Sequence, residues 1–404
     1  MIKLDHTTLV QNPSMGWYEI GGKTYWDKAS ALLEGSRLGF KGSNLKWNFN
    51  DAEFGKFDWT IEPPGDIKDY YWARAKQLRE KYDYIILNFS GGSDSATVLY
   101  SFIQQGLFVD EVIYRHATAG TSKYKANTQQ LDATNEFSEY EFAGKPHLEW
   151  LAKVSPKTKI TVHDFSLDVI DNDQLVWDEN FIHWCGDFVS PGIITRYNHA
   201  NMDHLRLFDK GKRVGIIFGV DKPRLIIENG KFYTFFVDRP VHIAQPALVN
   251  NGYTNTEVEL FFWSPALPQL VIKQCHLIKK WFDLPFNARL KYMLNSQWLL
   301  SPHNRTAYEA VIKGVIYPDY DLSTFQCNKP IKTVFQEWDY WMEDFKGTTG
   351  YKTFMRGVMH LYKNIDPTFL RRSGVPTSVG SSVAPDNWEY KPCISNLYEL
   401  GNAN

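Results

Sequence analysis

Residues 82–102 read YDYIILNFSGGSDSATVLYSF. The apolar run YIILNF has strand length, and its unbroken hydrophobicity is what a parallel strand covered on both faces requires. It enters a turn holding two glycines and three serines. Beyond the turn, SATVLYSFIQQG places Ala96, Leu99 and Ile103 on one helical face, with Gly106 as a C-cap. VDEVIYRHA, residues 109–117, is a second strand. Strand, glycine-rich turn, helix and strand within about 30 residues read as a βαβ crossover.

The alternation extends outward on both sides. DIKDYYWARAKQLREKY, residues 66–82, repeats Ile67, Tyr71, Ala75, Leu78 and Tyr82 every three or four positions, so an amphipathic helix is expected with Asp66 as its N-cap. KPHLEWLAK has a proline in a first helical turn, TKITVHDFS is strand-like, and DNDQLVWDENF (171–181) and SPGIITRYNHANMDHLRLF (190–208) read as helices before the strand KRVGIIFGV. The pattern predicts an α/β fold, a doubly wound and mainly parallel sheet over residues 65–245. Residues 1–64, with the strand-like GWYEIGG and KTYWD and the break IEPPGD, form an N-terminal extension. Residues 246–404, including PQLVIKQCHLIKKWF, RTAYEAVIKGVI and VFQEWDYWMEDF, are expected to be a mainly helical, aromatic-rich C-terminal domain.

A chain of 404 residues is long enough for two or three domains. With 43% apolar and 22% charged residues it has a globular composition, and a net charge of −2 gives no overall pull toward nucleic acid or anionic lipid. The opening residues lack an apolar signal core and no run of 18 apolar residues follows, so a cytoplasmic protein away from the membrane is expected. Cys185, Cys275, Cys327 and Cys393 are too scattered for a zinc or iron-sulfur set. His183, Cys185, His199 and His204 do not have ligand spacing either, and structural or pocket roles suit them better. Aromatic residues at 15% read as packing.

In an open parallel sheet, ligands collect beyond the carboxyl ends of the strands. Ser90, Gly91, Gly92, Ser93, Asp94 and Ser95 fall at that place. Glycines admit close approach of a ligand to the backbone, and the helix start presents unpaired N–H groups with partial positive charge. A phosphate or pyrophosphate suits such a turn. It is not the GxxxxGK[ST] loop, because no lysine follows the second glycine, and GxGxxG is absent, which argues against a nicotinamide enzyme.

SGGSDS resembles the SGGxDS signature of the PP-loop ATP pyrophosphatase superfamily, in its residues and in its strand-to-helix setting. The resemblance covers residues 65–245 and implies a fold like the adenine nucleotide alpha hydrolases (HUP class). It implies ATP with Mg²⁺ as cofactors and Ser90–Ser95 around the phosphates. It also implies adenylation of an acceptor oxygen with release of pyrophosphate, then displacement of AMP by a nitrogen or sulfur nucleophile. The acceptor, a small molecule or a nucleic acid, stays unidentified. RHATAG ends the second strand where relatives hold adenine and ribose, which marks His116 and Ala117, although generic loop text explains it as well. GVDKPR resembles phosphate-contacting loops of several synthetases: Gly219 would approach the ligand while Lys222 and Arg224 neutralise the leaving pyrophosphate, and ordinary surface turn chemistry is the other reading.

Asp94 is explained either by a place near Mg²⁺ or by helix capping. By the same resemblance, a chain without cysteine before Cys185 lacks the N-terminal glutaminase nucleophile, and the scattered cysteines do not fit CxxC thiolases. Sulfonucleotide (PAPS or APS) reductases are the nearest rival. They carry SGGKDS and a catalytic cysteine in ECGxH, whereas Ser93 and KPCISN stand here. A nucleotide-binding module without turnover is the remaining alternative.

Overall fold

The computed structural model describes residues 13–26, 28–116, 140–164, 211–238, 255–295, 302–320, 363–372 and 388–403. In chain order they form β1 (Trp17–Ile20), β2 (Lys23–Tyr25), α1 (Lys28–Arg37), β3 (Lys46–Asn48), α2 (Asp51–Phe54), α3 (Ile67–Lys81), β4 (Tyr84–Phe89), α4 (Ser93–Ile103) and β5 (Glu111–His116). A π turn at Tyr140–Gly144 runs into α5 (Lys145–Val154). Then come β6 (Lys159–Asp164), β7 (Val214–Phe218), β8 (Arg224–Glu228), β9 (Lys231–Phe235), β10 (Thr256–Leu260), α6 (Pro268–Asp283), α7 (Pro302–Ile316), β11 (Leu370–Arg372), β12 (Trp388–Tyr390) and β13 (Tyr398–Asn402).

The centre is a five-stranded, all-parallel sheet in the order β10-β7-β4-β5-β6. The chain starts in the middle with β4 and moves one way through β5 to β6. It then returns to the other side of β4 for β7 and β10. The order therefore reverses between β4 and β7, the kind of switch point at which open α/β sheets bind ligands. YIILNF forms β4 over its full length.

Helix α3 follows the expected pattern. Asp66 caps it by accepting from the N–H of Lys68, and Ile67, Tyr71, Ala75 and Leu78 are buried. The helix lies on the sheet face that carries Gly215 and Glu259: an added Cβ at Gly215 would come within 2.5 Å of the Tyr82 ring, and Arg74 Nη2 donates to Glu259 Oε2 at 2.7 Å. Helix α5 covers the same face, because Phe89 of β4 meets His147 edge-on. Burial of each such large side chain contributes about 1.5–3 kcal/mol. The C-cap of α4 is Gln104, while Gly106, two residues on, takes the left-handed conformation. The helices expected over 171–181 and 190–208, on which the doubly wound arrangement also depends, lie outside the described residues, as does 334–345.

The sheet runs past residue 245, where sequence alone set its limit. Thr256–Leu260, in the region expected to be mainly helical, is the edge strand β10, held by Arg74, Lys81 and Tyr82 through Glu257 and Glu259. The last third is not helical throughout: β13 joins the β8–β9 hairpin in a three-stranded antiparallel sheet. One connected hydrophobic core takes residues from all three expected regions. Trp59 stacks on Tyr398 at 4.5 Å, which joins the two ends of the chain, and Phe54 stacks on Phe236 at 4.7 Å, which joins the first region to the central one.

A buried ion pair fastens the same junction. Lys28 Nζ lies 2.7 Å from Asp238 Oδ2, with both side chains almost wholly buried. Tyr18 donates to that oxygen at 2.9 Å, and the N–H of Cys393 donates to Oδ1 at 2.8 Å. Removing one member of such a set strands a buried charge, at a cost of about 3–5 kcal/mol. Asp238→Ala is therefore expected to lower the unfolding free energy by about that amount in urea titrations. A loss below about 1 kcal/mol would show that the pair holds nothing together.

Candidate functional site

The turn after β4 is stitched by its own hydroxyls. The N–H of Ser90 donates to Ser95 Oγ at 3.2 Å, Ser95 Oγ donates to the carbonyl of Gly92 at 3.2 Å, and the Ser90 and Ser95 hydroxyls are 3.3 Å apart. Ser95 is thus a loop-shaping residue and is buried. Thr97 Oγ1, one turn on, donates to the carbonyl of Ser93 at 2.8 Å. Gly92 is the N-cap of α4 and no side chain caps the helix, so the first-turn N–H groups keep their outward donors.

Gly91 has φ +73°, and its missing side chain serves packing rather than ligand approach. A Cβ there would sit 2.9 Å from the Cα and N of Gly144 in the π turn, and a Cβ on Gly144 would run into the Tyr114 ring at 2.5 Å. Gly219 plays the same part on the other side. A Cβ on it would lie 3.0 Å from the carbonyl carbon of Asp94 and 3.1 Å from the N of Ser95. The loop leaving β7 therefore presses directly on the start of α4, and glycine at 219 is what lets it.

That contact delivers Lys222. Its ammonium donates to Asp94 Oδ2 at 2.5 Å and stands 3.8 Å from Glu309 Oε2, and its side chain is only 3% exposed. Burial would lower the lysine pKa, but the carboxylates of Asp94, Glu309 and Asp221 outweigh it and hold the value above the ordinary one. Lys222 is a charged ammonium at any physiological pH. The other oxygen of Asp94 accepts from the Tyr317 hydroxyl at 2.6 Å. Burial, and then the Asp94 charge, push the Tyr317 pKa well up, so that the hydroxyl keeps its proton and donates.

Arg224 is placed differently. Its guanidinium pairs with Asp221 Oδ2 at 3.3 Å inside the protein, where it supports the 221–224 turn instead of reaching Asp94. Asp221 Oδ1 accepts from the N–H of Lys222 at 2.7 Å. Three carboxylates, Asp94, Glu309 and Asp221, thus surround two cations, Lys222 and Arg224. Asp94, expected near Mg²⁺, has both oxygens engaged by Lys222 and Tyr317, and among the described residues no group of three or more His, Cys, Asp or Glu side chains is arranged to hold a metal ion. This donor set does not fit a protein-held magnesium ion; the cation at the turn is Lys222.

His116 closes β5 at the same end of the sheet. Its ring is buried and stacks on Tyr140 at 5.1 Å, so in this structure it packs the π turn. Ala117 lies outside the described residues, as do Cys185, Cys327, His183, His199 and His204. Cys275 is buried, and burial pushes its thiol up to about 12. Cys393 is tied through its backbone to Asp238, in the Lys28 and Tyr18 cluster.

Sequence reasoning missed Tyr308, Glu309 and Tyr317. All three come from the C-terminal third, where RTAYEAVIKGVIY reads only as a helix. Tyr308 OH donates to the carbonyl of Pro223 at 3.0 Å and accepts from the N–H of Leu225 at 3.2 Å, so α7 grips the same turn that carries Lys222. Phe282 stacks on the other side of that tyrosine from α6, at 6.3 Å.

No protein-family model matches the chain, and no curated protein matches it at a significant level. No helix among the described residues is long and apolar enough to cross a membrane.

The support beneath the turn is pH-sensitive. His147 is fully buried, with Nδ1 at 3.3 Å from the Ala143 carbonyl and Nε2 at 3.0 Å from Tyr100 OH. Burial pushes its pKa down to about 4, only partly offset by that carbonyl. The unfolded chain takes up the imidazole proton near pH 6.5 and the folded one only near 4, so stability falls on acidification through that window and is fully present above it. In denaturant melts between pH 7 and 4, wild type is expected to lose more stability than His147→Gln. Parallel losses in the two proteins would contradict the buried neutral imidazole.

Proposed function

We propose that this chain is an ATP pyrophosphatase of the PP-loop type, with an adenine nucleotide alpha hydrolase-like core. It would activate an acceptor oxygen by adenylation. The observation that carries the reading is the buried ammonium of Lys222, set at the uncapped start of α4 where the strand order reverses. An anion there would meet backbone N–H groups and the positive end of a helix, and also a positive charge in a poorly hydrated place once Lys222 turns from its carboxylate partners.

In this reading the acceptor oxygen bonds to the α-phosphorus of ATP while the bond to the bridging oxygen breaks and pyrophosphate departs with that electron pair. The first-turn amides of α4 and the ammonium of Lys222 stabilise the negative charge gathering on the leaving group. Asp94 contributes by aiming Lys222. ATP is taken as its magnesium complex, without a protein carboxylate as ligand. An amine or sulfur nucleophile then displaces AMP from the acceptor, a small molecule or nucleic acid. The reductase alternative has less support, because Cys393 stands in KPCISN rather than ECGxH and its backbone is bonded to Asp238.

ATP binding by calorimetry and pyrophosphate release in the presence of metabolite and tRNA mixtures test this function. Wild type is expected to bind ATP and release pyrophosphate with one acceptor fraction, while Lys222→Met binds about ten- to a hundredfold more weakly and releases none. Binding without release for any acceptor would mark a nucleotide-binding module instead. No binding at all would overturn the assignment.

A further inference from the structure

Helix α7 and the residue that follows it engage the candidate site at three points. Tyr308 holds the Pro223–Leu225 backbone, Glu309 faces the Lys222 ammonium at 3.8 Å, and Tyr317 donates to Asp94 at 2.6 Å. These residues are 83 to 223 positions from their partners in the chain. Both parts of the candidate site, the turn after β4 and the loop after β7, are thereby tied to one helix.

The two charged contacts act in opposite senses. Lys222 can serve an incoming phosphate only to the extent that Asp94 and Glu309 release it. Glu309 is a competing anion, and it also repels a polyphosphate approaching the same ammonium. Tyr317 does the reverse: by donating to Asp94 it satisfies one carboxylate oxygen independently of Lys222, and so lowers what Asp94 loses when the ammonium turns away.

We infer that Glu309 and Tyr317 are positioning residues that set how readily Lys222 passes from Asp94 to a bound polyphosphate, Glu309 holding it back and Tyr317 easing its release. The inference rests on the function proposed above and names the device that tunes that site. It gives the C-terminal third a part in nucleotide affinity without any direct contact to nucleotide.

Opposite signs make the inference testable. Affinities for ATP and for inorganic pyrophosphate would be measured by calorimetry for wild type, Glu309→Gln and Tyr317→Phe, with thermal unfolding as the check on folding. Glu309→Gln is expected to bind both ligands about fivefold more tightly, and Tyr317→Phe about fivefold more weakly. Raising the salt from 50 to 500 mM should shrink the Glu309→Gln effect, since it is a charge effect, more than the Tyr317→Phe effect. Weaker binding by both variants, or no change in Glu309→Gln, would overturn the inference, because a helix that merely props the loop gives losses of one sign. If Tyr317→Phe does not fold, the tightening in Glu309→Gln still decides. Should wild type bind neither ligand, the nucleotide function itself fails; should wild type bind and the variants not diverge, only this inference fails.

Discussion

The ion pair between Lys222 and Asp94 is the contact on which the candidate site depends. A lone ammonium in so dry a place costs several kcal/mol, and the carboxylates around it are what make burial of Lys222 tolerable. The pair also joins the two loops that the sheet separates, since one partner leaves β4 and the other β7. The charge is stored beside the start of α4, in a direction fixed by its partners.

Backbone proximity comes before that pairing. Gly219 lets the β7 loop lie against Asp94 and Ser95, and the Gly91–Gly144 contact seats the turn on the π turn, which in turn rests on Tyr114. Any side chain at these glycines would push on surfaces now 2.5–3.1 Å from a would-be Cβ, and so disturb the approach of the β7 loop and of the π turn to the start of α4. The serine hydroxyls finish the turn from inside. Of the residues in SGGSDS, Ser90, Gly91 and Ser95 therefore account for the shape, and Gly92, Ser93 and Asp94 present the helix start.

Much of this was legible in the sequence for reasons of periodicity and turn chemistry. YIILNF has the pattern of an interior strand and forms one, and the spacing of Ile67, Tyr71, Ala75 and Leu78 is that of one face of a helix, which Asp66 caps. Two features carried a signal that was passed over. Asn229 and Gly230, both with positive φ, turn the β8–β9 hairpin, and an Asn-Gly pair between apolar runs is a strong hairpin sign. TEVEL alternates like a strand, yet its charged positions are the half-exposed Glu257 and the buried Glu259, both bonded to residues of α3, and they hide its place in the sheet. Glu309 and Tyr317 were not legible at all, because nothing local distinguishes them from other helix residues. Their partners are 87 and 223 positions away, and only folding brings them together.

The most direct measurement is a crystal structure with a non-cleavable α,β-methylene analogue of ATP. The β- and γ-phosphates are expected within hydrogen-bond distance of the first-turn N–H groups of α4, with the Lys222 ammonium turned from Asp94 onto a phosphate oxygen. Nucleotide bound elsewhere, with Lys222 still on Asp94, would contradict it.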